Sequence, residues 1–393
     1  MKILLVTSDF PYRDIRHGGG QLTAQWIEHL GRRHDLSLLS FIRGEEIPFL
    51  EETSRRFRET RTVPARRGWS SRLRRLPMLL RHPYPVVATH SRRMAQAVRE
   101  MTAGNRFDLV QFEYFHMGQY LPFVPRGTAR VLVYHDVVTP VLRQRIRRAR
   151  GLHKFLLYRE WELSRYWEKW FAIWAGNAFA LSPKDRRVID SWDVGVRSFV
   201  LPPLLPPSFF RLKRRARRDG EIVFIGAMHR PVNQDAARFL HRLVLPLLRE
   251  RHPGARIRIV GENPPSWLRR LQSDSFIVTG GVESIEPFLA EADALAVPLR
   301  TAGGIIVKIL QGMAAAVPVV ATRAANAGIG GRDGRHLLLA DRPEEFAAAL
   351  GSLLDDPARA DGLGAGGAEF IRRHFAPEDV QSAIDRLYEG LTE

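Results

Sequence analysis

The feature that most constrains this chain is a rhythm: short unbroken apolar runs alternate with stretches of helical periodicity, and the pattern stops once and then starts again. Residues 2–7 (KILLVT) form the first run, and an apolar stretch without polar alternation marks a strand buried on both faces of a parallel sheet. It leads into three glycines, Gly18, Gly19 and Gly20, which read as a loop before a helix over 21–33 that sets Leu22, Trp26, Ile27 and Leu30 on one face. Residues 35–41 read as the next strand, and further strands are expected over 108–112, 130–135 and 178–182. Strands separated by helices in this way predict a Rossmann-like α/β domain over residues 1–203.

The interruption is LPPLLPP at 201–207. Four prolines lack the N–H that a helix or a central strand needs. With the charged run 213–218 behind it, the segment 204–219 reads as a linker. The rhythm then resumes. Strands are expected over 221–225, 255–260, 276–278, 294–297 and 318–321, alternating with helices over 234–249, 265–271, 285–291 and 305–315. A second Rossmann-like domain over 220–376 follows, and the last of three closing helical segments, 377–393, reads as a helix packing back on the first domain.

A chain of 393 residues with 45% hydrophobic content has the length and apolar material for two such cores. It contains no cysteine, which excludes disulfides, thiolate metal sites and thiol nucleophiles. The N-terminal apolar run is too short for a signal peptide, and no stretch reaches 18 apolar residues, so a cytoplasmic protein is expected. Net charge is +18, and residues 1–200 hold 35 basic against 19 acidic side chains. Such asymmetry predicts attraction of the first half to an anionic surface or substrate. Residues 55–75 carry nine arginines interleaved with Phe57, Trp69 and Leu73, and residues 143–150 carry five more. Arginine beside apolar anchors suits an anionic bilayer, so peripheral association with the inner membrane face is expected. No nucleic-acid module is present, and nucleic acid is not expected as a partner. Trp167, Trp170 and Trp174 fall on one helix face and are expected to pack into the core.

Two doubly wound domains place ligands at the carboxyl ends of their strands. Gly18 to Gly20 sit at such an end, where glycine allows close approach and a helix N-terminus offers N–H groups to a phosphate. In the second half, PLRTAGGIIVKILQGM at 298–313 runs from a strand through Gly303 and Gly304 into a helix bearing Lys308. A lysine in a first turn opposes the helix dipole unless an anion sits there. Gln311 lies one turn on, on the same face, and its amide can bond sugar hydroxyls.

The glycine loop, VLVYHDV at 131–137, FIGAMHRPVNQDAARFL at 224–240, IVGENPP at 259–265, VTGGVESIEPFLAEADALAVPL at 278–299 and GGIIVKILQGMAAAVPVVAT at 303–322 together resemble a glycosyltransferase of family 4. The resemblance implies the GT-B fold, in which two Rossmann-like domains face each other across a cleft. It also implies retaining transfer of a sugar from a nucleotide-diphosphate-sugar, a co-substrate, with no cofactor and no metal site. On that resemblance Lys308 holds the donor diphosphate, Gly303, Gly304 and Ile305 present backbone N–H groups to it, and Gly226 and Arg230 lie beside it. Val282 would meet the base, Gly19 and Gly20 would close on phosphate and sugar, and His135 would face the transferred sugar. Glu113 and Asp136 are the acceptor-side candidates, for a sugar, lipid-linked or small-molecule acceptor in glycan, polysaccharide or glycolipid assembly.

The departures are specific. The family's two glutamates, eight positions apart, fall at Gly303 and Gln311, and Ile306 stands where many relatives carry arginine. An amide at 311 keeps the geometry of a ribose contact and gives up the charge-assisted hydrogen bonds. Three other readings stay open on these grounds: a non-catalytic partner that keeps the scaffold, and an epimerase or a hydrolase of nucleotide sugars on the same fold.

Overall fold

The computed structural model describes residues 1–12, 15, 18–65, 76–104, 106–214 and 220–391. Its contacts divide the chain into two units. One comprises Met1–Ile15, Gly19–Pro202 and Gln381–Glu393, and the other is built on Pro203–Val380.

The first unit holds a seven-stranded parallel sheet in the order β3-β2-β1-β4-β5-β6-β7. Its strands are β1 (Lys2–Thr7), β2 (Asp35–Ile42), β3 (Glu59–Pro64), β4 (Leu109–Glu113), β5 (Ala129–Tyr134), β6 (Gly176–Ala180) and β7 (Arg197–Val200). The central strands are buried and mostly apolar because helices cover both faces, with Gln111 and Glu113 of β4 as buried polar exceptions. Two strands escape the sequence pattern. β3 reads ETRTVP and β7 reads RSFV; both are edge strands, whose polar residues and terminal proline suit an exposed margin and carry no buried run to recognise.

The second unit repeats the plan with β8 (Glu221–Ile225), β9 (Arg256–Val260), β10 (Phe276–Gly280), β11 (Ala294–Val297), β12 (Val319–Ala321) and β13 (Leu338–Leu339), in the parallel order β10-β9-β8-β11-β12-β13. Numbered within its own unit, this is the order 3-2-1-4-5-6, which the first unit also follows before its seventh strand. In both sheets the switch point lies beside the first strand, between β1 and β4 and between β8 and β11.

The helices of the two units include α1 (Gly18–Leu30), α2 (Val138–Arg148), α3 (Gly151–Ala175), α4 (Pro231–Phe239), α5 (Val307–Ala314), α6 (Pro357–Phe375) and α7 (Pro377–Glu389). The three glycines expected as a loop are instead the first turn of α1. The single helix expected over 234–249 is broken by a π turn at Leu240–Val244 before it resumes at Leu245–Arg251. Pro246 explains the break: it has no N–H for the helical ladder and its ring crowds the preceding turn, which the wider π turn accommodates. Along α3, Trp167 and Trp174 pack against the core of the first unit. Trp170 departs from the expectation of burial, being 39% exposed. The distal residues 381–391 are tied into the first unit: Asp385 pairs with His29 at 2.8 Å and with Arg33, and Arg197 donates to the Gly390 carbonyl at 2.7 Å.

Candidate functional site

Each unit gathers polar side chains at the carboxyl ends of its central strands, and the two gatherings are built on different principles. In the second unit, Gly226 follows β8, the segment carrying Gly303, Gly304 and Ile305 follows β11, and Lys308 stands in the first turn of α5. Lys308 Nζ donates to Asn233 Oδ1 at 3.0 Å and lies 4.4 Å from the centroid of the Phe224 ring. Asn233 in α4 donates through Nδ2 to the Ala227 carbonyl at 2.9 Å, which fixes its oxygen toward the lysine. A Cβ on Gly226 would stand 2.7 Å from both Lys308 Nζ and Asn233 Nδ2, so a larger residue would displace the lysine and its amide partner from this arrangement. Behind it, a Cβ on Gly261, after β9, would overlap the Gly226 carbonyl oxygen. The two backbones touch with nothing between them.

Burial pushes the Lys308 ammonium down to about 7, with repulsion from Arg230 as the second cause. An ammonium that has shed water among an amide, a ring face and glycine backbone is stabilised by an arriving anion. Arg230 is exposed and stands at the residue before α4, with no side-chain bond to the helix N–H groups. Arg300, after β11, is anchored to Asp235 of α4, its Nε donating at 3.0 Å. Gln311 lies one turn along α5 from Lys308 and is 5% exposed. Val282 follows β10, an edge strand of the second sheet, with β9 separating that strand from β8.

In the first unit, His135 follows β5 and Glu113 is the last residue of β4 rather than the residue after it. Both are buried, at 8% and 1% exposure. His135 Nε2 lies 2.6 Å from Glu113 Oε2. Gln111 Nε2 donates to Glu113 Oε1 at 2.5 Å, and Tyr388 Oη in α7 donates to Gln111 Oε1 at 2.5 Å. Burial and the charge of Glu113 hold the Tyr388 phenol above its ordinary range, so it stays protonated. The Tyr114 ring stacks on His135 with centroids 4.0 Å apart and on His116 with centroids 5.6 Å apart. Burial takes His116 down to about 4, leaving it neutral. Tyr114 reaches this place with a φ of 72°, a left-handed backbone that costs a non-glycine residue about 1–2 kcal/mol. Such strain persists where the surroundings fix it, commonly at functional positions.

Gly19 is brought to the same place: a Cβ there would lie 3.2 Å from His135 Nδ1 and collide with the Tyr114 hydroxyl. Gly20 is buried in the same turn. Asp136 is half-buried and interacts electrostatically with Glu168 of α3. Glu168 accepts from the Val138 N–H at 2.5 Å and from Thr139, capping α2, and burial raises its carboxyl to about 8. Among the described residues no group of three or more His, Asp or Glu side chains could hold a metal ion.

Sequence reasoning missed Asn233, Gln111, Tyr388 and Glu168. Asn233 had a local signal, an amide in the first turn of the helix after β8. The others had none: Gln111 lies two residues from Glu113 but is oriented by the distant Tyr388, and Glu168 and Tyr388 bond residues remote in the chain.

Residues 219–356 match the family model described as glycosyl transferases group 1. No curated protein matches the chain in sequence. Among solved structures, sucrose-phosphate synthase of Thermosynechococcus elongatus has a TM-score of 0.72 at 16% identity, covering 99% of this chain and 98% of its own. TarM, of S. aureus, has a TM-score of 0.72 at 10% identity, with 100% and 98% covered. Anabaena Alr3699/HepE in complex with UDP has a TM-score of 0.66 at 12% identity, with 99% and 100% covered. The two parallel-sheet units with their helical C-terminus thus have the fold of the GT-B glycosyltransferases. Within it, the match to the group 1 glycosyl transferase model falls on the second unit, the part whose glycine and lysine segments carry the resemblance.

Proposed function

We propose that this chain is a family 4 glycosyltransferase that takes a nucleotide-diphosphate-sugar into its second unit and transfers the sugar with retention of configuration, without a metal or a cofactor. The observation that carries the reading is the desolvated Lys308 ammonium, held by Asn233 beside the Gly226 and Gly261 backbones. A cation prepared in this way takes the charge that builds on a departing diphosphate, which is the work a metal does elsewhere. The α5 N-terminus adds its partial positive charge, and Arg230 lies within electrostatic reach of the same lysine. UDP in the complexes of Alr3699/HepE makes a uridine donor the first to try.

In the proposed step the acceptor oxygen bonds the anomeric carbon on the face from which the diphosphate leaves. The carbon–oxygen bond to the diphosphate breaks, its electron pair stays on the leaving phosphate, and a phosphate oxygen takes the acceptor proton. The protein supplies position and positive charge. His135, with Gly19 and Gly20, is assigned to the sugar and acceptor.

The acceptor is proposed to be lipid-linked and met at an anionic membrane face. On α3, Leu152, Phe155, Leu156, Tyr166, Trp170 and Ile173 are all exposed. Exposed arginines at 143, 145, 147, 148 and 150 lie along the adjoining α2 and its end. The other basic run contributes less: Arg55, Arg58 and Arg61 pair with Glu51, Asp35 and Glu100, and residues 66–75 lie outside the described residues. No described helix is long and apolar enough to cross a membrane.

Thermal unfolding against UDP, GDP, ADP and dTDP, with and without magnesium, tests the donor reading. Stabilisation by one of them without metal is expected, with release of that nucleoside diphosphate from its sugar conjugate once an acceptor is present. Binding without release would favour the non-catalytic reading that Gly303 and Gln311 raise, release without an acceptor would favour a hydrolase, and no binding would overturn the donor site.

A further inference from the structure

In the first unit, His135 Nδ1 is buried and, among the described residues, has no hydrogen-bond partner, while every other polar atom of the chain leading to it is engaged. The direction of that chain follows from its donors. A tyrosine O–H gives its proton to the Gln111 carbonyl oxygen, so the amide of Gln111 turns its NH2 to Glu113 Oε1. Glu113 Oε1 therefore accepts, and the carboxylate is left to accept again through Oε2 from the ring. We propose that Glu113, Gln111 and Tyr388 are positioning residues for His135: they fix its proton on Nε2 and hold Nδ1 bare, as an acceptor for the hydroxyl of a substrate alcohol.

Two further features serve the same atom. Tyr114 clamps the ring plane from one side at the cost of a left-handed backbone. Gly19 meets Nδ1 with a hydrogen where any larger residue would put a methyl group 3.2 Å away, so no side chain of α1 stands against the nitrogen. Glu113 then acts through the imidazole and not on the acceptor directly. Tyr388 brings a residue 277 positions distant from Gln111 into the same device. The assignment rests on the proposed transfer for its purpose, since an alcohol acceptor and a sugar are what a bare imidazole nitrogen would meet there.

Nitrogen-15 and proton spectra of the histidine-labelled full chain test it without needing the acceptor. The expected result is one exchange-protected, downfield ring proton of His135 coupled to Nε2, with Nδ1 unprotonated at neutral pH. A proton on Nδ1 would overturn the proposal. Glu113→Leu should abolish the protected proton. Tyr388→Phe, which keeps the ring and its packing, should move that resonance and raise its exchange rate by ~10-fold, the factor expected for about 1.4 kcal/mol of lost hydrogen bonding. A purely structural tyrosine would leave the resonance where it is, and that outcome would remove Tyr388 and Gln111 from the device. Calorimetric titration of the wild type with UDP separates the two proposals: a bare Nδ1 in a protein that ignores UDP sinks the donor site alone.

Discussion

The two units share a strand order and differ in what they place at its switch point. In the second, the central group is one ammonium with an amide and a ring face around it, and glycine backbones close by. In the first it is a chain of four hydrogen-bonded side chains that ends in one vacant nitrogen. The first arrangement holds a charge short of partners, so that binding an anion relieves it. The second satisfies almost everything, so that a single atom has a defined hydrogen-bonding sense. The difference teaches that one scaffold can present a site by deprivation or by completion, and each fails in its own way when altered.

Lys308→Met should produce the largest effect. At 100 times the dissociation constant a nucleoside diphosphate stabilises by about 2.7 kcal/mol, and that increment should vanish in the variant while the unliganded protein melts no earlier. A variant that still responds to nucleotide would break the comparison, because the lysine would then be an ordinary side chain. Gly261→Ala attacks the backbone half of the same site: its methyl would overlap the Gly226 carbonyl oxygen, and overpacking of this kind costs about 1–3 kcal/mol. Equilibrium unfolding in urea would show it, and a neutral result would mean that the two loops can part freely.

The third prediction concerns pH. Lys308 titrates near 7 when unliganded because of burial and Arg230, and a bound diphosphate favours its charged form. Affinity should therefore hold below about 7 and fall above it by as much as ~10-fold per pH unit, about 1.4 kcal/mol. Calorimetry in Lys308→Met should show no such slope. The smallest effect belongs to the first unit. Tyr388→Phe leaves the Gln111 oxygen without its donor and should lower stability by about 1 kcal/mol, read as a shift of the denaturant midpoint. A much larger loss would make the chain of side chains a structural strut first and a positioning device second.

The contrast also decides what the sequence could tell. The lysine segment was legible because Gly303, Gly304, Lys308 and Gln311 span nine residues, whereas its partner Asn233, 75 positions earlier, was not. The βα rhythm was legible for the same reason, each buried strand announcing itself by a local apolar run. Edge strands β3 and β7 have no such run. The π turn depended on where Pro246 falls within a helix, and the exposure of Trp170 on how α3 meets its neighbours. Least legible was the His135 device. His135 and Glu113 could be singled out one at a time, but nothing local in DLVQFE says that a tyrosine 277 residues beyond Gln111 will complete it.

That distant tyrosine has a consequence for how the protein is made. Residues 203–380 of the second unit lie in one stretch, whereas the first unit includes 381–393. During synthesis domains usually fold in the order in which they emerge. Here the unit begun first is finished last: until Tyr388 and Asp385 leave the ribosome, Gln111 and His29 wait without their partners. The later-begun unit can fold while the earlier one is still incomplete. Residues 381–391 therefore act as a latch on the first unit, closed only once the whole stretch of the second unit has been made.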